Sequence, residues 1–388
     1  MAHRHSLFVT TTDAGGTEAV LPVLRAFQSK GNWDIVPFAL PGTPAERIYR
    51  AHGFTPGHFE SYGYKRPDIQ AMRVILAEEN PSLVLTGIAG RDDSTDRLAL
   101  DAAQRENIPN AALCETWPNM WLSRKGERDA PLYRKATALI VGDQLSFETA
   151  VAYDFDPKRV LVCGNPLDDE LVAHKPRMAH LRTQTRQMLG IPEEAVVIAW
   201  FGTFDLDNPE HRGPAHEGRF GFGEAEAYRE YLEAMRAAIP RARQFGHILS
   251  GLFRQKPDYG HVGLLRLERE LDFHVPRDTR AAGGSIPTIA ACDVICSLIG
   301  GTSLRTAAKL GVPGISYQPG ATPDTDDEPS NRLGITQAMY EPGELAHFIR
   351  GVSDSPWRIL KLRRSLKSVE IEPGATARVV REIERLSA

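Results

Sequence analysis

With 388 residues, 42% hydrophobic and 25% charged, the chain is long enough for two domains, and its composition excludes a collagen-like, coiled-coil or largely disordered polypeptide. Lys and Arg number 46 against 50 Asp and Glu, a net charge of −4 that argues against a nucleic-acid partner. No run approaches the roughly 18 apolar residues of a transmembrane span, and the N-terminus lacks the apolar core and cleavage site of a signal peptide, so the expected location is cytoplasmic.

Short apolar runs alternate with helical stretches from the start. Ser6–Thr12 reads as a strand, Asp13–Thr17 as a loop and Glu18–Ser29 as a helix. Trp33–Ala39 is a second strand, Ala45–His52 and Ile69–Glu79 are helices, and Ser82–Thr86 is a third strand. Ser94 or Thr95 can cap a helix that runs to Arg105. Strands follow at Asn110–Cys114, Ala138–Val141 and Val160–Val162. His174–Gln187 reads as a basic helix or linker, after which a second alternating series begins with the strand Ala195–Phe201. Glu224–Ala238 is helical, and His247–Leu252 and Leu271–Val275 are strands. Ile286–Ala291 is a short helix before strand Asp293–Ser297, helix Leu304–Leu310 and strand Gly314–Tyr317. Gly343–Val352 is helical, and the basic tail beyond Pro356 forms one or two helices ending with Ala375–Leu386. Two series of βαβ units predict an α/β protein with two mainly parallel sheets.

Ligands of such folds sit beyond the carboxyl ends of the strands, which directs attention to the turns there. In Thr12-Asp-Ala-Gly-Gly-Thr-Glu18, Gly15 and Gly16 permit close backbone approach, and Thr17 and the following helix offer donors to an anion. Asp13 or Thr17 capping a plain turn explains the same residues. Ser297-Leu-Ile-Gly-Gly-Thr-Ser-Leu304 is the better phosphate cradle: Gly300, Gly301, Thr302 and Ser303 bring amides and hydroxyls to a helix start, with Arg305 just inside. Asp92, Asp93 and Asp96 crowd another helix start, where they answer the helix dipole or supply a general base. Glu115 follows a strand directly and stands two residues before Trp117, a setting for a raised pKa or for a structural carboxylate. Arg254-Gln-Lys-Pro257, after a strand, could supply cations to phosphate or polar contacts to a base, or form a solvated basic turn. Asp205, Asp207, His211 and His216 share a long loop without metal-ligand spacing, and Cys292 and Cys296 lack the second pair of a zinc site, so no metal is expected. All four cysteines lie in or beside apolar runs and read as buried and reduced.

Several motifs resemble the UDP-N-acetylglucosamine 2-epimerase family. Val162-Cys-Gly-Asn-Pro-Leu-Asp-Asp169 is similar to its strand–Gly-Asn-x-x-x-Asp segment, and Asp92 with Ile108-Pro109 to its Gly-Asp…Ile-Pro stretch. Glu115 lies within one position of that family's glutamate, and Gly16-Thr-Glu-Ala19 resembles its first turn. Ala291-Cys-Asp-Val with Gly-Gly-Thr-Ser303 and Ala-Lys-Leu-Gly-Val-Pro313 looks like the diphosphate motif shared with GT-B glycosyltransferases. In place of the family's His-Arg after the first strand of the second domain stands Phe201-Gly-Thr-Phe204, and Thr306 stands where a ribose-binding Glu is expected.

The resemblance implies a GT-B-like fold: two Rossmann-like domains facing a central cleft, with a C-terminal helix packing back on the first. It divides the chain into an acceptor domain at 1–165, a linker at 166–190, a nucleotide-sugar domain at 191–352 and returning helices at 353–388. The leading expectation is a metal-independent glycosyltransferase of surface-polysaccharide or natural-product synthesis, joining a nucleotide-sugar donor to a hydroxyl acceptor without a cofactor. Asp92, Asp13 or Glu115 would serve as base. A UDP-sugar epimerase or hydrolase using Asp92 and Glu115, and a non-catalytic nucleotide-sugar-binding protein, are the alternatives.

Overall fold

The computed structural model describes residues 4–89, 94–115, 131–202, 223–255, 262–280, 284–298, 301–326 and 328–388. The chain forms two compact units, Met1–Val172 with Ile371–Ala388, and Ala173–Glu370.

The first unit is built on six parallel strands: β1 (His5–Thr10), β2 (Trp33–Phe38), β3 (Leu83–Thr86), β4 (Asn110–Cys114), β5 (Ala138–Val141) and β6 (Val160–Val162). Both faces are covered, which is why the strands read as nearly unbroken apolar runs. Leu7, Val9, Leu83, Leu85, Ala111 and Leu113 turn to one side and join a core with Val20, Leu24 and Phe27 of the helix Ala14–Lys30. Phe8 and Val84, one residue out of phase, join a second core with Met72, Ile75 and Ala99. The order is β2-β1-β3-β4-β5-β6, so the direction of construction reverses between β1 and β3. A crevice opens at such a reversal, beyond the carboxyl ends of the strands.

The second unit repeats the plan with β7 (Val196–Phe201), β8 (Leu249–Arg254), β9 (Arg277–Asp278), β10 (Val294–Leu298), β11 (Gly314–Tyr317) and β12 (Gln337–Met339). Its order, β12-β11-β10-β7-β8-β9, places the reversal between β7 and β10. Trp200, Tyr228, Tyr231 and Phe253 fill the core on the side of the helix Glu224–Gln244. Near the start of the unit, the helix Met178–Met188 is fastened by Arg186. That fully buried guanidinium donates to the carbonyls of Ala291, Glu193 and Ala195 at 3.0, 2.5 and 2.7 Å and to Asp293 Oδ2 at 3.0 Å.

Several expectations are corrected here. The segment read as a linker, 166–190, is divided at Val172, and its second part is integral to the second unit through Arg186. Of the returning helices only Ala375–Leu386 belongs to the first unit, where Val379, Val380 and Ile383 enter its core. Trp357–Ser365 stays with the second, burying Ile359 and Leu362. The apolar run Leu271–Val275 is not a strand; Leu271 and Phe273 close the end of the helix Val262–Glu270 through their amides, and the strand begins at Arg277. The helix from Glu224 continues past Ala238 and Pro240 to Gln244, because buried Ala242 extends its apolar face. The four cysteines are buried and free of disulfides. Among the described residues no helix is long and apolar enough to cross a membrane.

Candidate active site

At the reversal of the first sheet, the turn read as a loop is already helical. The helix begins at Ala14, so Gly15 and Gly16 form its first turn and Asp13 is the exposed residue before it. Among the described residues no side chain caps this helix. Thr17 does not face a ligand: it is fully buried, its hydroxyl donating to the Asp13 carbonyl at 2.7 Å and meeting Thr11 Oγ1 at 2.7 Å. Gly16 is likewise buried against the chain at Gly87.

Two carboxylates converge beside this turn. The helix Thr95–Arg105 brings Asp96, 1% exposed, to Thr12, whose hydroxyl donates to Asp96 Oδ2 at 2.5 Å. A Cβ at residue 87 would stand 2.8 Å from Asp96 Oδ1, so the strand end approaches this carboxylate as closely as glycine permits. Glu115 follows β4 directly and reaches toward the same turn, its Oε1 3.6 Å from where a Cβ on Gly15 would lie. Its Oε2 is enclosed and has no hydrogen-bond partner among the described residues. Burial raises the Asp96 carboxyl, the Thr12 hydroxyl pulls it back and Asp13 raises it again, to about 7. Burial also raises Glu115, a bond to its own main chain opposes this, and the charges of Asp13 and Asp96 carry it to about 8. An acid cluster that retains protons near neutrality is suited to proton transfer.

The Gly164-Asn165 motif supports the cluster from behind. Gly164 has φ +85° and lies against Ala375, where a Cβ would come within 2.8 Å, so it both turns the chain and admits the C-terminal helix. Asn165 Nδ2 donates to the Glu115 carbonyl at 3.1 Å and fixes the start of that segment. Asp169 accepts from the amides of Gly374 and Thr376 at 2.6 and 2.8 Å. Burial acts against these bonds, which nonetheless hold the Asp169 carboxyl below its ordinary value.

The second unit offers a different chemistry. The helix Thr302–Lys309 starts just after β10, at the sheet reversal. Gly301 precedes it in extended conformation, with open space where a Cβ would stand, and among the described residues no side chain caps the helix. Thr302 and Ser303 are half-exposed, and Arg305 is buried within the next turn. Arg254 is corrected: 4% exposed, it donates to the carbonyls of Asp278, Arg280 and Gly284 at 3.3, 2.7 and 3.0 Å, bracing the corner after β9 instead of presenting a free cation to phosphate. Asp92, Gly300 and the loop holding Asp205, Asp207, His211 and His216 lie outside the described residues.

The structure thus brings Asp13, Gly15 and Glu115 to one corner of the first unit, with Asp96 behind them, and Gly301, Thr302 and Ser303 to the reversal of the second. From sequence Asp96 was one of three aspartates that either answer the helix dipole or supply a general base, and it was not singled out. Its signal was available: Ser94 already caps that helix by accepting from the Arg97 amide, which leaves a buried aspartate two residues on without a capping task.

The raised carboxyls set a pH trend. In the unfolded chain an aspartate titrates near ~3.9; folded, Asp96 keeps its proton to about 7. The stability it contributes is fully present below the unfolded value and is lost as pH rises through the folded one, at up to about 1.4 kcal/mol per pH unit within that window. Urea unfolding at a series of pH values from weakly acidic to weakly alkaline is expected to show falling stability, and Asp96→Asn a shallower fall. Parallel curves would show that Asp96 carries no retained proton.

No family model matches the sequence, and a search of curated proteins finds no relative. Solved structures do match. UDP-GlcNAc 2-epimerase from Neisseria meningitidis bound to UDP-GlcNAc superimposes with a TM-score of 0.71 at 13% identity, covering 98% of this chain and all of that one. The Methanocaldococcus jannaschii UDP-GlcNAc 2-epimerase in complex with UDP-GlcNAc and UDP gives 0.66 at 13%, over 98% and 99%. Acinetobacter baumannii MurG gives 0.53 at 10%, over 98% and 99%. With two parallel six-stranded sheets and end-to-end coverage by these structures, the chain has the two-domain GT-B-type fold.

Proposed function

We propose that the protein is a nucleotide-sugar enzyme of the epimerase or hydrolase kind, acting on a UDP-sugar. The observation that carries this reading is the grouping of Asp13, Asp96 and Glu115 at the reversal of the first sheet, with Glu115 and Asp96 holding protons near neutrality. Inverting the sugar carbon beside the anomeric centre requires removing its proton and returning one to the opposite face. Loss of that proton with departure of the diphosphate leaves an unsaturated sugar. Re-addition of the diphosphate and a proton gives the epimer, and addition of water gives the free sugar. Such a reaction needs one ionised carboxylate and one protonated partner. Exposed Asp13 suits the base and Glu115 the acid. Asp96 acts through Glu115: once ionised, above about pH 7, its charge helps to keep the neighbouring proton in place. In the second unit, considered by itself, the uncapped amides of Thr302 and Ser303 would hold a nucleotide's diphosphate.

Incubating the protein with UDP-GlcNAc in D2O, with no acceptor, tests this by proton NMR. Deuterium at sugar C2 together with epimer or free sugar is the expected result. An unchanged donor that is consumed only when a hydroxyl acceptor is added would establish the second reading, glycosyl transfer. That reading is favoured by Gly202-Thr203 after β7, in place of the epimerases' His-Arg. If Asp92 is the base, Asp92→Asn will lower turnover by about two decades or more; turnover within about threefold of wild type removes it.

The diphosphate assignment has its own test. Gly301→Asp places a carboxylate in open space before the helix, so the unit should fold unchanged. UDP binding, followed by calorimetry, is expected to weaken by about tenfold or more through charge repulsion and loss of amide access. A folded variant that binds UDP as well as wild type does would show that the anion is bound elsewhere.

A further inference from the structure

Away from both sheet reversals, the second unit contains a cavity of about 220 Å³. Four cations line it, Lys175, Lys309, Arg363 and Lys367, and among the described residues no carboxylate does. In a chain of net charge −4 this is a concentrated positive site. The cations come from four separate places: the start of the unit, the end of the helix Thr302–Lys309, the helix Trp357–Ser365 and the segment after it. Lys309 is 5% exposed, whereas Lys175, Arg363 and Lys367 are exposed at the rim. Apolar Val312, Ile335 and Leu366 complete the wall. The like charges of Lys175, Arg363 and Lys367 at the rim of an apolar recess repel one another, and an anion between them relieves that cost.

We propose that this cavity binds a small organic phosphate: an anionic head held by Lys175, Arg363 and Lys367, and a short apolar body seated against Val312, Ile335 and Leu366. The site is independent of the nucleotide-sugar reading. Lys175 lies just after the chain enters this unit at Ala173, and Lys367 shortly before it leaves at Glu370. The helix that begins at the proposed diphosphate turn ends in the cavity wall, at Ala308 and Lys309.

Butyl phosphate is the probe, titrated by calorimetry or NMR against the full chain, with butanol as the neutral control. Saturable binding of butyl phosphate but not butanol is expected, weakening with salt. The double variant Arg363→Glu, Lys367→Glu changes two exposed side chains and is expected to lose about tenfold or more in affinity while its thermal unfolding stays unchanged. No binding up to about 10 mM, a limit corresponding to less than about 3 kcal/mol, or equal binding by wild type and variant, would overturn the proposal. So would retention of the wild type on phosphatidylglycerol vesicles without binding of butyl phosphate, which would assign these cations to a lipid surface. UDP titrated in parallel separates the two sites: failure of UDP to bind, with butyl phosphate binding intact, refutes the nucleotide reading and leaves this one standing.

Discussion

Glu115→Gln is expected to lower turnover of the nucleotide-sugar by about two to four decades, the usual worth of a positioned general acid or base. The substitution preserves size and leaves the Asn165 bond to the main-chain carbonyl of residue 115 intact. It removes the proton that burial and the charges of Asp13 and Asp96 hold on Glu115 to about pH 8. Nucleotide affinity, which we assign to the turn before Thr302, should stay within about threefold of wild type. The pH profile gives a second, independent readout. With Glu115 acting as the acid, kcat falls as pH rises through about 8, and Glu115→Gln abolishes that limb. Asp96→Asn removes a negative neighbour, so the limb should move to lower pH while the reaction survives, which a merely structural Asp96 would not cause. Turnover of Glu115→Gln near that of wild type, with an unchanged profile, would take Glu115 out of the chemistry.

The largest effect on stability is expected at Arg186, where Arg186→Met should destabilise the second unit by about 3–5 kcal/mol. A buried ion pair is itself weak evidence of net stabilisation; the loss comes from what is left behind. The buried carbonyls of Ala291 and Ala195 would lose their donor in a place water does not reach, and that of Glu193 would lose its donor at the edge. Asp293 would keep the Val197 amide at 2.8 Å and Arg182 at 3.1 Å, but lose the buried half of its countercharge. Arg182 is 28% exposed, and Arg182→Met should therefore cost only about 1 kcal/mol. Denaturant unfolding with probes in each unit separates the outcomes: the transition of residues 173–370 should move and that of the first unit should not. A shift of Arg186→Met no larger than that of Arg182→Met would mean that the carbonyls find other donors.

The frame of the fold was legible because burial on both faces writes each parallel strand as an apolar run, and Asn110–Cys114, Ala138–Val141 and Val160–Val162 emerge at the bounds read from sequence. The same rule misled at Leu271–Val275, where apolar residues close a helix end and are not part of the sheet. The glycine turns were visible, but the helical state of Gly15 and Gly16 was not, since glycine's low helix propensity points to a loop and tertiary packing against Gly87 overrides it. Glu115 and Asp13 were candidates from their places beside strand ends. Arg254 was misjudged because an arginine after a strand carries no mark of whether its donors meet solvent or carbonyls. Asp96 could not be separated from Asp93 by spacing alone; only the approach of Thr12 and Gly87 from other segments distinguishes it.

The helix Ala375–Leu386 has a consequence for how the protein is made. Its Val379, Val380 and Ile383 complete a core that otherwise consists of residues from the first half of the chain. During synthesis those partners emerge about 200 residues before the helix does, whereas every residue of Ala173–Glu370 has already been polymerised by then. The first unit therefore waits, with an apolar surface open at Leu24 and Phe27, until that helix arrives. Closing so long a loop adds little to the equilibrium cost, because loop entropy grows only logarithmically with length, but it postpones the step. A chain cut after Glu370 is expected to keep a folded second unit tethered to a first unit whose apolar surface stays open.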